Sequence, residues 1–401
     1  MKTRRSARPW LLWLWLALFL AGAAQVWRLA WPDLYQRACW LAEWPFEQGC
    51  DGLPTGHAPD NPPEVFQAYL QTHPGDGRAW AWWLRALWVR QDPATPGVLA
   101  SARVMAPHET AVLMTQADLA LQAGDWPQAA QALVTLTERG VREVRPLLLA
   151  LMTHPQAGQA LLALVRPEAI WLDSAIGGLD VARHPGVALS FAEAGQTLGA
   201  LKPGTLLGLI DRLKRAGHWG DAYLLWVSLQ GQVPQGLFNG DFETRLLRRG
   251  FDWEWTVQPV GRMGLRVQQA SASPEPGQLL QLELTGRAAL PMPLLAQTLW
   301  LTGERYRLSG RYRTDALRSQ QGLVWALRCA SGGERWASTP VLAETQRRWQ
   351  TLTLDFEVPA RCGAAVRLQL EPQADWEARA GMHGVVWVDD MAVVPVSKEG
   401  T

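Results

Sequence analysis

The chain is poor in asparagine and lysine: two Asn (Asn61, Asn239) and four Lys (Lys2, Lys202, Lys214, Lys398) among 401 residues. It also lacks an excess of either charge, with 38 Lys+Arg against 37 Asp+Glu and a net charge of +1. A nucleic-acid binder leaves a basic surface as its footprint, so this balance points away from DNA or RNA as a partner. There are four cysteines, with no C-x-x-C spacing and no cluster with histidine, which removes the usual basis for a zinc site. The seven histidines stand singly, with no i, i+4 pair. No Gly-x-Ser-x-Gly elbow, P-loop, Rossmann glycine fingerprint or His-Glu-x-x-His is present. Glycoside hydrolysis needs two carboxylates facing each other across a cleft, whereas Glu109, Asp118, Asp125, Asp173, Asp180 and Asp221 are spread over capping and solvent-facing positions. The chain is therefore expected to be non-enzymatic.

What is present is a globular composition. Hydrophobic residues make up 48% of the chain and charged ones 19%, and there are 23 Trp. Disorder throughout is excluded, and the length suits two or three domains. Lys2, Arg4, Arg5 and Arg8 precede an uncharged run from Pro9 to Trp27. About 18 apolar residues just span a bilayer, with Trp27 and Trp31 as interfacial anchors. Alternatively, Trp10 to Leu20 followed by Ala21-Gly22-Ala23-Ala24 fits a cleaved secretory signal. Either way the body after residue 31 is expected to be exported. The first reading makes it a single-pass inner-membrane protein with a cytoplasmic N-terminus and a periplasmic bulk; the second makes it periplasmic or secreted.

Cysteine usage agrees with export. Cys39 and Cys50 lie 11 apart, and Cys329 and Cys362 lie 33 apart. Four cysteines allow three connectivities, of which local pairing is the simplest. Residues 32–63 are an irregular linker punctuated by Gly and Pro, residues 64–232 read as a helical domain, and residues 236–396 read as short alternating strands.

The helical part contains an internal echo. Ala123-Gly124-Asp125-Trp126-Pro127-Gln128-Ala129 recurs as Ala216-Gly217-His218-Trp219-Gly220-Asp221-Ala222. Gly permits a tight turn, Trp plugs the mouth of a helical hairpin, and Ala lets the second helix approach the first. This resembles the tetratricopeptide repeat, with Trp80 and Trp83 near its large first-helix positions and Pro234 at its terminal proline. The resemblance implies an α-hairpin solenoid over about 70–230, whose concave surface would take protein partners.

In the C-terminal part, strands are expected at Gln278–Thr285, Ala296–Leu301, Arg305–Arg313, Gly322–Cys329, Trp349–Val358, Ala364–Leu370 and Val385–Val394. Tyr306, Leu308, Gly310 and Tyr312 share one face, as do Leu323, Trp325, Leu327 and Cys329, and Leu352, Leu354, Phe356 and Val358. Such strands imply an antiparallel β-sandwich, and a Cys329–Cys362 bridge would staple it by about 3 kcal/mol. The whole is expected to be a multidomain α + β chain: N-terminal membrane helix (1–31), helical solenoid and sandwich.

The sandwich opens with Gly236-Leu-Phe-Asn239-Gly240-Asp241-Phe242-Glu243 and Gly250-Phe251-Asp252-Trp253, and closes with Gly384-Val-Val-Trp387-Val388-Asp389-Asp390. Gly303-Glu-Arg-Tyr306 and Trp349-Gln-Thr-Leu lie between. Together these resemble the jelly roll of carbohydrate-binding modules of the family 4/9/22 type, within the galactose-binding-like superfamily. The resemblance implies one structural Ca²⁺ held by Asp241, Glu243 and Asp390, since hard carboxylates suit an ion that takes 6–8 oxygens. It also implies sugar stacking on loop tryptophans, for which Trp253, Trp255, Trp336 and Trp376 are the candidates. Glu334, Arg335 and Asp375 stand near enough in sequence to bond hydroxyls, while the strand residues Trp300, Trp325, Trp349 and Trp387 are expected in the core. The layout resembles tetratricopeptide proteins of Gram-negative exopolysaccharide systems. It implies a non-enzymatic, membrane-anchored periplasmic adaptor binding polysaccharide and protein; the alternative is a protein scaffold whose jelly roll binds no sugar.

Overall fold

The computed structural model describes residues 62–231, 233, 236–257, 264–272, 276–286 and 288–396. The expected membrane helix (1–31) and the Cys39–Cys50 pair lie outside these. Among the described residues no helix is long and apolar enough to cross a membrane. The expectation of a single-pass inner-membrane protein is corrected accordingly: the described helices run from 6 to 14 residues, well short of the roughly 20 a bilayer requires.

The chain divides into two compact units between Leu161 and Leu162. The first is helical: α1 (Pro63–Thr72), α2 (Gly77–Val89), α3 (Thr95–Met105), α4 (Thr110–Ala123), α5 (Trp126–Glu138), α6 (Arg145–Thr153) and α7 (Pro155–Leu162). Local chemistry sets the ends. The Asp76 carboxylate accepts from the Arg78 and Ala79 amides at 3.0 and 3.1 Å to cap α2, and Asp125 caps α5 through the Gln128 amide at 3.1 Å. Proline occupies the first turn of α1, α3, α5 and α6, where its missing N–H goes unused. Gly124 adopts φ 70° between α4 and α5, and Ala129 is fully buried where the two helices meet. Trp126 is half-buried, its ring against His154 and its Nε1 donating to Gln156 Oε1 at 2.8 Å.

The second unit holds α8 (Ile170–Gly178), α9 (Pro185–Thr197), α10 (Pro203–Arg215), α11 (Trp219–Gln230) and the sandwich. The echo again forms a helical hairpin: Gly217 takes φ 85° and Ala222 is buried. Leu206, Leu209, Ile210 and Leu213 give α10 its apolar stripe. A strict tetratricopeptide frame is not established. The helices of 141–205 include runs of nine, eight and nine residues, shorter than the hairpins on either side.

Within this unit α10 and α11 pack on the sandwich. Asp211 accepts from Arg249 Nε at 2.9 Å and from the Gly250 amide at 2.8 Å. The Lys214 ammonium donates to the Gly250 carbonyl, and Tyr223 stacks on Trp300 with ring centroids 5.7 Å apart. Asp211 and Lys214, and likewise Tyr223 and Trp226, bring the turn at 249–251 and the strand bearing Trp300 against one helical hairpin.

The sandwich is antiparallel throughout. A five-stranded sheet runs β1 (Leu265–Ser271), β2 (Gln278–Thr285), β9 (His383–Pro395), β4 (Arg305–Arg318), β7 (Gln350–Glu357). A four-stranded sheet runs β3 (Leu295–Trp300), β8 (Ala365–Pro372), β5 (Leu323–Cys329), β6 (Ala337–Ser338). Period-two alternation puts Tyr306, Leu308 and Tyr312 of one sheet, and Leu323, Trp325 and Leu327 of the other, into a shared core with Phe242 and Trp253. Cys329 and Cys362 are bonded, with Cα atoms 4.8 Å apart.

Candidate functional site

The opening and closing motifs do meet, but through backbone and packing. Met391 N donates to the Gly240 carbonyl at 2.9 Å. A side chain at Gly240 would overlap the Met391 carbonyl, so this approach requires glycine. Asn239 bonds the Thr244 carbonyl and amide at 3.0 and 3.2 Å, and Phe242 packs on Trp253.

The expected calcium ligands are not brought together. Among the described residues no group of three or more His, Cys, Asp or Glu is arranged to hold a metal ion. The Asp390 carboxylate pairs with Arg311 Nε at 2.7 Å. Glu243 Oε1 accepts from the Gln278 amide at 2.8 Å, and Asp241 Oδ1 lies 3.4 Å from the Glu243 amide. Each carboxylate is engaged by a different protein group, and the residues do not fit the ion.

Of the four loop tryptophans, Trp253 is corrected outright. It is fully buried, lies 5.8 Å from Trp325 and donates from Nε1 to the Asn239 carbonyl at 2.9 Å. Asp252, also buried, holds this loop by accepting from the Trp253 amide at 2.7 Å and the Leu247 amide at 2.5 Å; burial raises its carboxyl above the usual range. Trp255 is half-buried with the Arg248 guanidinium 4.2 Å over its ring. Trp336 is half-buried against Phe356. Trp376, in α12 (Asp375–Ala380), is 45% exposed. No ring contact among the described residues joins any two of the four. Glu334 is exposed, Asp375 starts α12, and Arg335 reaches Glu371 and Gln373 at 3.5 and 3.2 Å.

Of the strand tryptophans expected in the core, only Trp325 lies there: Trp300 is half-buried and stacks on Tyr223, and Trp387 and Trp349 lie elsewhere. Trp387 alternates with the buried Val386 and Val388 and therefore faces outward from the five-stranded sheet. It stands opposite Arg313 on β4 and Gln281 on β2, and Gln281 stands opposite Gln268 on β1. Trp349 immediately precedes β7. The Arg313 guanidinium lies 4.8 Å from the rings of both Trp349 and Trp387. The row Gln268, Gln281, Trp387, Arg313, Trp349 thus crosses the whole outer face, with aromatic, amide and guanidinium groups side by side.

The flanking charges on β4 are matched. Arg305 meets Glu357 at 3.3 Å, and Arg307 meets Asp355 at 2.5 Å. The Arg307 hydrogen bond holds Asp355 below the usual carboxylate range. Arg311 meets Asp389 at 2.8 Å as well as Asp390. Asp389 is 4% exposed, and its desolvation raises its carboxyl despite the arginine.

No protein-family model and no curated protein matches the chain. Solved structures similar to its C-terminal part include carbohydrate-binding modules. A CBM4 structure is 17% identical over 40% of this chain and 99% of its own, with TM-score 0.30. The CBM22-1 xylan-binding domain of Paenibacillus barcinonensis Xyn10C is 14% identical over 39% and 92%, with TM-score 0.26. TmCBM61 in complex with β-1,4-galactotriose is 17% identical over 41% and 100%, with TM-score 0.27. A bacteriophage CBA120 tailspike enzyme domain is also similar, at 14% identity over 40% and 21%.

Proposed function

We infer that the sandwich is a non-catalytic carbohydrate-binding module whose contact surface is the outer face of its five-stranded sheet. One observation carries this: an outward row of two indoles, two glutamines and an arginine across four neighbouring strands. Indoles offer apolar surface to the C–H side of a pyranose, while amide and guanidinium groups bond hydroxyls. The helical hairpins are then the part that engages protein, and the whole acts as an adaptor between a polysaccharide and a protein partner.

A specific feature also favours the runner-up, a protein scaffold without sugar affinity. Trp349 already stacks with two guanidinium groups and Trp387 with one, an arrangement that stiffens a sheet without any ligand. Retardation of the full chain in native gels cast with different polysaccharides separates the two. The adaptor reading expects at least one polymer to retard it and Trp387→Ala to relieve that retardation. Free migration in every gel, with the chain folded, favours the scaffold.

A further inference from the structure

We propose that the glycan is acidic, a polysaccharide bearing uronate carboxylates, and that Arg313 receives the carboxylate. This rests on the sugar-binding reading of the same face. The charge pattern along β4 points to it. Its outward arginines are 305, 307, 311 and 313, and the first three each have a carboxylate within 3.3 Å. Arg313 has none among the described residues, and its buried Nε has no hydrogen-bond partner there.

The gap in the pattern is flanked by aromatic surface. Trp349 and Trp387 are each 4.8 Å from the guanidinium carbon of Arg313; with Nε buried, its terminal N–H groups are the donors left for a ligand. Those groups are set to meet a planar carboxylate, by the fork geometry that favours such pairs. Stacking against indole does not neutralise the cation, so the site retains one positive charge that the protein does not match. Beside it, Gln281 and Gln268 offer amides to neutral hydroxyls, with Gln268 Nε2 donating to Gln281 Oε1 at 3.4 Å. A pyranose with a carboxylate at one corner and hydroxyls around the ring matches this row. A neutral sugar would leave the charge of Arg313 unmatched.

The test uses the purified full chain in native gels and calorimetry. Polygalacturonate and alginate are each compared with their methyl esters, which keep the rings and remove the charge; neutral xylan and galactan complete the panel. The proposal expects an acidic polymer to bind about tenfold or more tightly than its ester, as suits a charge-assisted hydrogen bond, with affinity falling as salt rises. Arg313→Gln should abolish that difference, and Arg313→Lys should retain part of it; circular dichroism checks that both variants are folded. Should Arg313→Gln not fold, the acid–ester comparison on the unmodified chain still decides. Equal affinity for acid and ester, binding confined to the neutral polymers, or a folded Arg313→Gln that keeps the full preference overturns the uronate proposal and leaves sugar binding standing. Failure of every polymer to bind overturns both.

Discussion

Trp253→Ala should cost the sandwich about 4 kcal/mol, the middle of the range for truncating a fully buried aromatic. The indole lies 5.4 Å from Phe242 and 5.8 Å from Trp325, with no exposed surface. Its removal also takes the shorter of two hydrogen bonds from the Asn239 carbonyl, which accepts from Trp253 Nε1 at 2.9 Å and from the Phe242 amide at 3.4 Å; the second donor remains, so no separate penalty is added. With a denaturant slope of about 2 kcal/mol per molar urea, the midpoint should fall by roughly 2 M. Urea unfolding followed by circular dichroism reads this. Hydrogen exchange in peptides covering 236–257 assigns the transition to the sandwich, since two compact units need not unfold together. Trp376→Ala, at an exposed position, is the control and should stay within about 0.5 kcal/mol of the parent. A loss below about 1 kcal/mol for Trp253→Ala would refute the reasoning and return Trp253 to the candidate platforms.

Three further outcomes are expected. Replacing Cys329 and Cys362 together with alanine reopens a 33-residue separation and should lower stability by about 3–4 kcal/mol on the chain-entropy account, read by thermal unfolding with and without reductant. Gly240→Ala should destabilise the sandwich, because the added carbon overlaps the Met391 carbonyl; hydrogen exchange at the Met391 amide should rise most, and an unchanged rate there would count against the backbone stitch. Burial holds the Lys214 ammonium below its ordinary value of 10.5, so the unfolded chain binds that proton more readily. Its contribution to stability therefore rises with pH between the lowered folded value and 10.5, and is at its worst below that window. Lys214→Met should flatten this component of the stability–pH profile on the alkaline side, below pH 10.5, which denaturant titrations at several pH values would show.

The strands were legible because their chemistry is local. Gln278–Thr285 falls where alternation puts it, and the other six expected strands differ by a few residues at one or both ends, the largest difference being the longer end of Arg305–Arg318. The unanticipated pieces, Leu265–Ser271, Ala337–Ser338 and Asp375–Ala380, are an edge strand with a weakly apolar face and two very short elements. The hairpin echo was legible for the same reason: the Gly124 and Gly217 turns and the buried Ala129 and Ala222 are set by neighbours in sequence.

The site was not legible in that way. Trp253 sits in a loop, but the loop folds over the end of the core, a consequence of the Asn239 and Asp252 hydrogen bonds between residues 5 to 14 apart. Trp349 and Trp387 sit at strands, but a place in or beside a strand does not by itself mean burial. Their parity held the needed signal: position 387 alternates with Val386 and Val388, and position 349 is out of phase with Leu352 and Phe356. The three carboxylates named for calcium are not brought together for a related reason. Asp241 and Asp390 belong to segments that do meet, yet a shared neighbourhood does not orient carboxylates, and Arg311 already holds Asp390.

The central claim is that the outer sheet face, and not the loops, contacts the glycan. Its most direct test is calorimetric titration of the full chain with whichever polysaccharide retards it most, comparing Trp349→Ala/Trp387→Ala with Trp336→Ala/Trp376→Ala. The account predicts that the first pair weakens binding by at least about tenfold, as loss of stacking worth 1–3 kcal/mol per aromatic platform would, while the second pair binds like the parent. Parent-like binding by a folded Trp349→Ala/Trp387→Ala variant, with loss in the loop pair, would contradict it.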